Sequence, residues 1–527
     1  MSRLDGARWV TARDQPPAAE RFARPLHAIL TAVAARDPDR LAAVCRGQGV
    51  TYAAFLARVG DLARGIAAAA APPGPMAVLL PPGLDYLAAL FAGGAAGRTL
   101  LLLTGSNPAE RNAALLAQAG ATLAVCGDDP GAIGAVAGLA LVSPRSGEPG
   151  RETDWPEGGL SIDAPAFLLP TSGSTGTPKL VVHSQRTMAQ RAFVHIDRFR
   201  LTPDDRALFD GGHTSYGALR EFLAVLCSGG TVCAVDPRVD GIRGILDAMR
   251  AQRVTTLRTF VSLFRTVARL DGAAAAFAYM RLLRFGAEPP LAPDIRAARA
   301  LVPPGCVIAN SYGSTESINC AWEAGADDLA DGAPVPAGWI DPDGEYLLVD
   351  DDGAPVPAGM PGELIISSRY QSPGDWRDGQ CDQERYRPDP RDPARRLFAT
   401  GDLARIQDDR SLVILGRKDL LVKINGQRVA LLEIETALLG VPGCASCAVI
   451  AAPGSGAAGV EGLTAFLTPA QPPGSDLAAR ARAHLAARLP TAMVPRHWRV
   501  IPALPLLPNG KTDRQALLAW PDSRDPR

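Results

Sequence analysis

The stretch TSGSTGTPK, residues 171 to 179, puts two glycines, five hydroxyl side chains, a proline and a lysine into nine positions. It is too polar for a core strand and too rich in glycine for a stable helix. Gly173 and Gly176 free the backbone to turn its N–H groups toward an anion. Thr171, Ser172, Ser174 and Thr175 add donors, and Lys179 adds charge. That is phosphate-binding chemistry, although the stretch does not follow GxxxxGK[ST]. Gly173 and Gly176 stand too close together for it, and Lys179 is followed by leucine. Read alone, the stretch is equally a polar surface turn. The apolar LLP before it and VV after it make it a bridge between two strands.

Four more segments carry chemistry-bearing residues: NSYGSTES at 310–317, ATGDLARI at 399–406, GRKDLLVKINGQRVALLEIE at 416–435 and LPLLPNGKTDRQAL at 504–517. Each candidate in them has a bland counterpart. Glu316 can be a charge at a helix N-terminus, Asp402 can close an Asx turn, Arg417 can be a solvated turn residue, and Lys511 can simply be exposed.

The rest of the chain must hold these segments in place. At 527 residues it exceeds what one core usually serves, which predicts at least two domains. Hydrophobic residues at 47% and charged residues at 21% are ordinary for a soluble globular protein. A formal net charge of -1 gives no electrostatic case for nucleic acid or an anionic membrane as partner. The most apolar segment, Tyr86 to Leu103, is interrupted by Gly93, Gly94, Gly97 and Arg98, and reads as a buried helix followed by a strand. The N-terminus lacks the apolar core of a secretion signal, so the expected compartment is the cytoplasm. Nine cysteines over this length form no disulfide framework, and the CxxC of Cys444 and Cys447 reads as packing rather than metal or redox chemistry.

MAVLLPP (76–82), TLLLLTG (99–105), ATLAVCG (121–127) and GTVCAVD (230–236) read as buried strands. PAERNAALLAQAG (108–120) and GIRGILDAMRAQR (241–253) read as helices between strands. This alternation predicts α/β layering with largely parallel sheets. After about Asp341 the texture changes to short strands with Asp-Gly and Pro-Gly turns, which predicts an antiparallel subdomain. A small α+β unit is expected from about Asp419.

Together and in this order, the five motifs closely resemble those of the adenylate-forming superfamily: acyl-CoA synthetases, luciferases and the adenylation domains of nonribosomal peptide synthetases. The resemblance runs from SNPAERN (106–112) to the C-terminal tail. It implies a two-step reaction in which a carboxylate and Mg·ATP give an acyl-adenylate and pyrophosphate, and a thiol then takes the acyl group. By the same resemblance, residues 1–418 form the adenylation core and 419–527 a small mobile domain carrying Lys511. Thr171, Ser172, Gly173, Ser174, Thr175, Gly176 and Lys179 are implied to hold the β- and γ-phosphates, Tyr312 to pack on adenine, and Thr315 to donate to the α-phosphate. Glu316 is implied to hold Mg²⁺, Asp402 the ribose hydroxyls, and Arg417 ribose or phosphate. Lys511 is implied to bridge the substrate carboxylate and the α-phosphate, two anions that must meet. Asp419 is implied to be a hinge that brings either Lys511 or the segment Lys423 to Gly426 to the site.

SNPAERN, VKINGQRV and LPNGKTDR look most like peptide-synthetase adenylation domains, yet the chain stops at Arg527 without a carrier domain. A freestanding enzyme is expected, with a carrier protein or CoA supplying the thiol in trans. Amino-acid-activating members use an aspartate to pair with the substrate ammonium, and here Tyr216 aligns with it, Asp210 lying six residues earlier. His213 followed by Tyr216-Gly217 is nearer the pattern of acyl- and aryl-acid ligases. Projected pocket positions are Arg220, Arg258, Arg284, Gly286 and Ser311, with Asn319 and Cys320 opposite. An arginine there selects a second anionic or strongly polar group. Leu180 stands where the family commonly has glycine, and Asp375 where GYW is common. Two other readings are an adenylating enzyme that passes its product, from a carboxylic acid or small oxyacid, to an amine or closes a ring, and a noncatalytic scaffold. Retention of Lys179, Glu316, Asp402, Arg417 and Lys511 argues against the scaffold.

Overall fold

The computed structural model describes residues 7–127, 133, 136, 138–144, 155–171, 178–209, 212–325, 329, 334–418, 421–424, 427–453, 460–470, 476–489, 491–505 and 512–520. The strands expected from 76–82, 99–105, 121–127 and 230–236 form as Met76–Leu79, Leu100–Leu102, Leu123–Cys126 and Thr231–Ala234. Their unbroken apolar character follows from burial on both faces. Met76, Val78, Leu100, Leu102, Leu123 and Val125 belong to one core, while Ala77, Leu101, Ala124 and Cys126 belong to another. Alternate side chains leave opposite faces of a strand, so both faces must be apolar here.

Two mixed sheets follow from this. In the first, Met76–Leu79, Leu100–Leu102, Leu123–Cys126, Ala140–Val142 and Pro165–Thr171 are parallel, and the hairpin partner Lys179–Ser184 turns antiparallel. In the second, six strands are parallel, from Leu41–Cys45 across to Val307–Tyr312, and Cys320–Glu323 closes one side antiparallel. Helices Tyr52–Ala68, Leu84–Ala95, Gln185–Phe199 and Tyr216–Ser228 join both sheets in the largest core. The third sheet is antiparallel, as the Asp-Gly and Pro-Gly turns predicted, and includes Glu345–Val349, Gly362–Ser368, Asp392–Ile406 and Leu412–Arg417. Its edge strand, Val10–Thr11, comes from the far N-terminus.

The expected helix at 241–253 starts earlier, at Pro237, and is broken at Gly241, whose φ of 66° no helix accommodates. Beyond residue 430, the strands Cys444–Pro453, Val460–Pro469 and His497–Val500 pack with helices Leu431–Leu439 and Leu477–Ala486 around a core of their own. Cys444 and Cys447 lie on the first of these strands with their thiols on the carbonyls of Ser446 and Glu435. Among the described residues no His, Cys, Asp and Glu group is suited to a metal ion, and no helix is long and apolar enough to cross a membrane.

Candidate active site

The hairpin of Pro165–Thr171 and Lys179–Ser184 ends with Thr171 opposite Lys179. The tip between them, with Ser172, Gly173, Ser174, Thr175 and Gly176, lies outside the described residues, as do Asp210, Asp419, Gly426 and Lys511. The bridge between two strands is therefore as expected, and Lys179 stands at its foot.

Tyr312, at the end of Val307–Tyr312, donates its hydroxyl hydrogen bond to Asp402 Oδ2. Burial and the neighbouring Asp402 carboxylate push this phenol well above its ordinary range, so it stays a donor. Asp402 and Arg417 are direct register partners on adjacent antiparallel strands. Arg417 donates to the Thr400 carbonyl at 2.9 Å and stands 3.5 Å from Asp402 Oδ1. Gly401 is required between them: its φ is 73°, and a Cβ there would lie 3.2 Å from the Arg417 guanidinium.

The segment after Tyr312 is held from below. His183 Nε2 lies 2.8 Å from the Thr315 carbonyl, which can only accept, so Nε2 carries the hydrogen. Burial, aided by the Arg191 charge, lowers the His183 pKa to about 3. Among the described residues the buried hydroxyls of Ser314 and Ser317 have no hydrogen-bond partner, a state that an incoming polar group relieves. Glu316 meets Arg385 at 3.1 Å, and the same guanidinium bonds Asp375 Oδ2 at 2.8 Å. The hydroxyl of Tyr386 donates to the other Asp375 oxygen at 3.2 Å.

A second cluster is built from the two helices that sit between the sheets. Ser184 caps Gln185–Phe199 with a reciprocal bond to Thr187, and Ser215 caps Tyr216–Ser228. The first helix presents Arg191 and His195 four residues apart, and the second presents Tyr216 and Arg220 at the same spacing. The Tyr216 ring stacks on His183, with centroids 5.2 Å apart, and its hydroxyl accepts from Asn319 at 3.4 Å. Arg258 and Arg284 are direct partners on parallel strands, so their side chains leave the same face. Gly286 and Ser311 are paired one step further along that face. Gly217 leaves room for Arg258, because a Cβ there would lie 2.6 Å from its guanidinium carbon.

Arg284 is committed. It donates to Glu221 Oε2 and, at 3.1 Å, to His195 Nδ1. Nε2 of His195 lies 3.3 Å from Glu221 Oε2, within range of its charge but off-line for a hydrogen bond. Burial alone raises the pKa of Glu221, but Arg284, His195 and Arg220 outweigh it and hold this carboxyl below its usual range. Burial lowers Arg284 to about 9 and His195 to about 4. Arg198 pairs with Asp341 at 3.2 Å. A small polar cavity lies among Arg220, Arg284, Ser311, Asn319, Cys320 and Asp341.

The structure thus brings Tyr216, Arg220, Arg258, Arg284, Gly286, Ser311 and Asn319 into one neighbourhood, as projected. His213 is elsewhere. Its ring packs on Tyr86 at 4.8 Å, its Nε2 faces the Leu80 carbonyl at 3.1 Å, and it does not line the cavity. Sequence reasoning missed His183, Arg191, His195, Glu221, Asp341 and Arg385. The signal for His183 was a histidine in the otherwise apolar strand KLVVHS, directly after the phosphate-type loop. For His195 it was a polar residue one turn after Arg191 on a buried helix.

The chain belongs to the AMP-binding enzyme family: residues 30–376 match that family, and residues 433–511 match the AMP-binding enzyme C-terminal domain. It is an adenylate-forming ligase. The L-proline–[L-prolyl-carrier protein] ligase of Streptomyces coelicolor is 31% identical over 502 residues, 89% of this chain and 91% of the relative. The isonitrile lipopeptide synthase of Streptomyces coeruleorubidus is 32% identical over 514 residues, 95% of this chain but 34% of that longer protein. The chain therefore spans about a third of the second relative's length. Among solved structures, Klebsiella oxytoca NpsA in complex with 3-hydroxyanthranilyl-AMSN superposes with a TM-score of 0.81 at 21% identity, covering 94% of this chain and 98% of that one. ATP-bound MatB from Rhodopseudomonas palustris gives 0.79 at 24% identity, with the same coverage. These two share the fold.

Proposed function

We propose that this enzyme joins a carboxylic acid lacking an α-ammonium group to the α-phosphate of ATP, releasing pyrophosphate. It then passes the acyl group to a thiol in trans, on a carrier protein or CoA. Residues 1–418 form the adenylation core, and 419–527 turn about Asp419 to present Lys511 for the first step or the segment at Lys423 for the second. Thr171, Ser172, Ser174, Thr175 and Lys179 hold the leaving pyrophosphate. Tyr312, Asp402 and Arg417 hold the nucleoside, Thr315 donates to the α-phosphate, and Lys511 draws the two reacting anions together. The unpartnered hydroxyls of Ser314 and Ser317 beside Thr315 fit a polar ligand there. Mg²⁺, when bound at Glu316, offsets phosphate charge, and this carboxylate suits a hard cation.

One observation carries the substrate reading. Where an ammonium needs a carboxylate, Tyr216 offers a neutral phenol stacked on His183, which burial keeps uncharged at neutral pH. The buried carboxylates nearby, Glu221 and Asp341, are taken by Arg284 and Arg198. An ammonium left unpaired at such depth costs several kcal/mol, on the order seen for other buried charges. A pyrophosphate-exchange screen of amino acids against aryl, acyl and dicarboxylic acids, with and without CoA or carrier protein, tests this. Weak exchange with proteinogenic amino acids and a clear signal from another acid are expected. Efficient turnover of a common neutral amino acid overturns it.

A further inference from the structure

Five arginines, Arg258 included, stand at the Tyr216 end of the site, and their pairing is uneven. Arg284 is matched by Glu221, and Arg198 by Asp341. Arg191 gives one bond, to the Tyr370 carbonyl at 2.6 Å, and its Nε and Nη1 are buried without a partner. Arg220 lines the cavity at 6% exposure, and among the described residues it has no hydrogen bond or ion pair. Its one recorded contact is the face of Tyr216, 5.9 Å from the guanidinium carbon to the ring centroid. Its charge acts on Glu221, but that carboxylate is already bonded by Arg284, and Arg284 is close enough to repel Arg220. Beside it, Ser311 offers a buried hydroxyl that also lacks a partner.

We propose that Arg220 receives a second carboxylate on the acid substrate, so that the enzyme adenylates one end of a dicarboxylic acid while the guanidinium and Ser311 hold the other. This rests on the adenylation reading above and names its substrate class. The path is continuous: Thr315 to His183 at 2.8 Å, His183 stacked on Tyr216, and Arg220 one helix turn beyond. A guanidinium fork matches a planar carboxylate through two parallel bonds. Arg284, fixed by Glu221 and His195, keeps Glu221 from pairing with Arg220.

The test is pyrophosphate exchange by the full chain on matched sets: each diacid, its half-amide, its half-ester and the sulfonate congener of the distal group. The wild-type enzyme is expected to prefer one diacid over its half-amide by about 10²-fold in kcat/KM, the scale of a site whose charged group is left unpaired by the analogue. Arg220→Gln should reduce that ratio to within a few-fold of unity, and Arg220→Lys should keep part of it. Neutral acids exchanging as well as diacids would overturn the proposal while leaving adenylation intact. So would a sulfonate outperforming the carboxylate, or an unchanged ratio in Arg220→Gln. No exchange with any acid would overturn the adenylation reading and this inference together. The wild-type comparison decides even if both variants fail to fold.

Discussion

The end proposed for the nucleotide keeps its cation within reach of water: the side chain of Arg417 is 45% exposed and lies 3.5 Å from Asp402. At the end proposed for the acid the Arg284 side chain is 1% exposed and its partner Glu221 5%; Arg284 stands on an inner strand and Glu221 on a helix packed between the sheets. Charges of the first kind can follow a ligand that arrives and leaves each cycle. Charges of the second kind are part of the core, so they define which acid fits and cannot be changed without cost to the fold. Binding and stability are separable at one end and coupled at the other.

Acidification presses on that difference hardest. Burial lowers His183 to about 3 and His195 and His213 to about 4, all far below the ordinary 6.5. The unfolded chain takes up protons below pH 6.5, whereas the folded chain resists until about pH 4. Stability is therefore complete above 6.5 and is lost as pH falls through that window. At about 1.36 kcal/mol per pKa unit, acidification costs at most roughly 3 kcal/mol each at His195 and His213 and roughly 5 kcal/mol at His183. Denaturation midpoints measured from about pH 7.5 to about pH 4.5 should fall steadily. A flat profile would mean that these rings titrate normally and that the acid end is wetter than described.

Cutting one partner from the buried pair should come next in size. Glu221→Ala leaves Arg284 charged and unmatched, and a loss of about 3–5 kcal/mol is expected. Adding Arg284→Met should recover most of it, since an apolar pair of similar volume is tolerated there. Asp402→Ala, at the open end, should raise the KM for ATP with a much smaller change in melting temperature. Equal destabilisation by Glu221→Ala and Asp402→Ala would erase the distinction between the two ends.

The same distinction explains what could be read from the sequence. The nucleotide end was legible because its residues sit in short motifs whose own backbone positions them: Asp402 and Arg417 meet through a ladder that a nearby turn closes. Arg258 and Arg284 were legible as positions, since parallel register turns both to one face. Their partners were not. Arg284 meets Glu221 across 63 residues and His195 across 89, and no local pattern announces a contact made by packing two helices on a sheet. The histidine at 213 was placed in the pocket by its resemblance to the acyl- and aryl-acid ligase pattern, but the turn before the helix directs it to Tyr86 and Leu80 instead. The strand Val10–Thr11 was too short to carry any periodic signal.

Rate rather than stability should report on Lys511. Removing one preorganised contact to the developing charge typically costs about 10²-fold or more, so Lys511→Ala should lose that much in pyrophosphate exchange. Transfer of the acyl group from presynthesised adenylate to the thiol should persist, because the other orientation of the small domain serves it. Unchanged exchange in Lys511→Ala would remove this lysine from the first step.

The smallest effect is expected at Arg385, where the open end borrows a device from the closed one. Its guanidinium spans Asp375, which is buried, and Glu316, the carboxylate proposed for Mg²⁺. The Asp375 bond anchors the arginine, and the rings of Phe398 and Tyr386 flank it at 5.3 and 5.9 Å. The cation therefore competes with the metal for Glu316 without being able to leave. With the Arg385 side chain 32% exposed, solvent screens the pair, and the competition is worth no more than about 1 kcal/mol. Arg385→Gln should then lower the Mg²⁺ concentration for half-maximal exchange by up to about fivefold, with kcat at saturating Mg²⁺ close to wild type. A higher Mg²⁺ requirement in the variant would reverse the assignment, making Arg385 the residue that aims Glu316 at the metal rather than the one that competes for it.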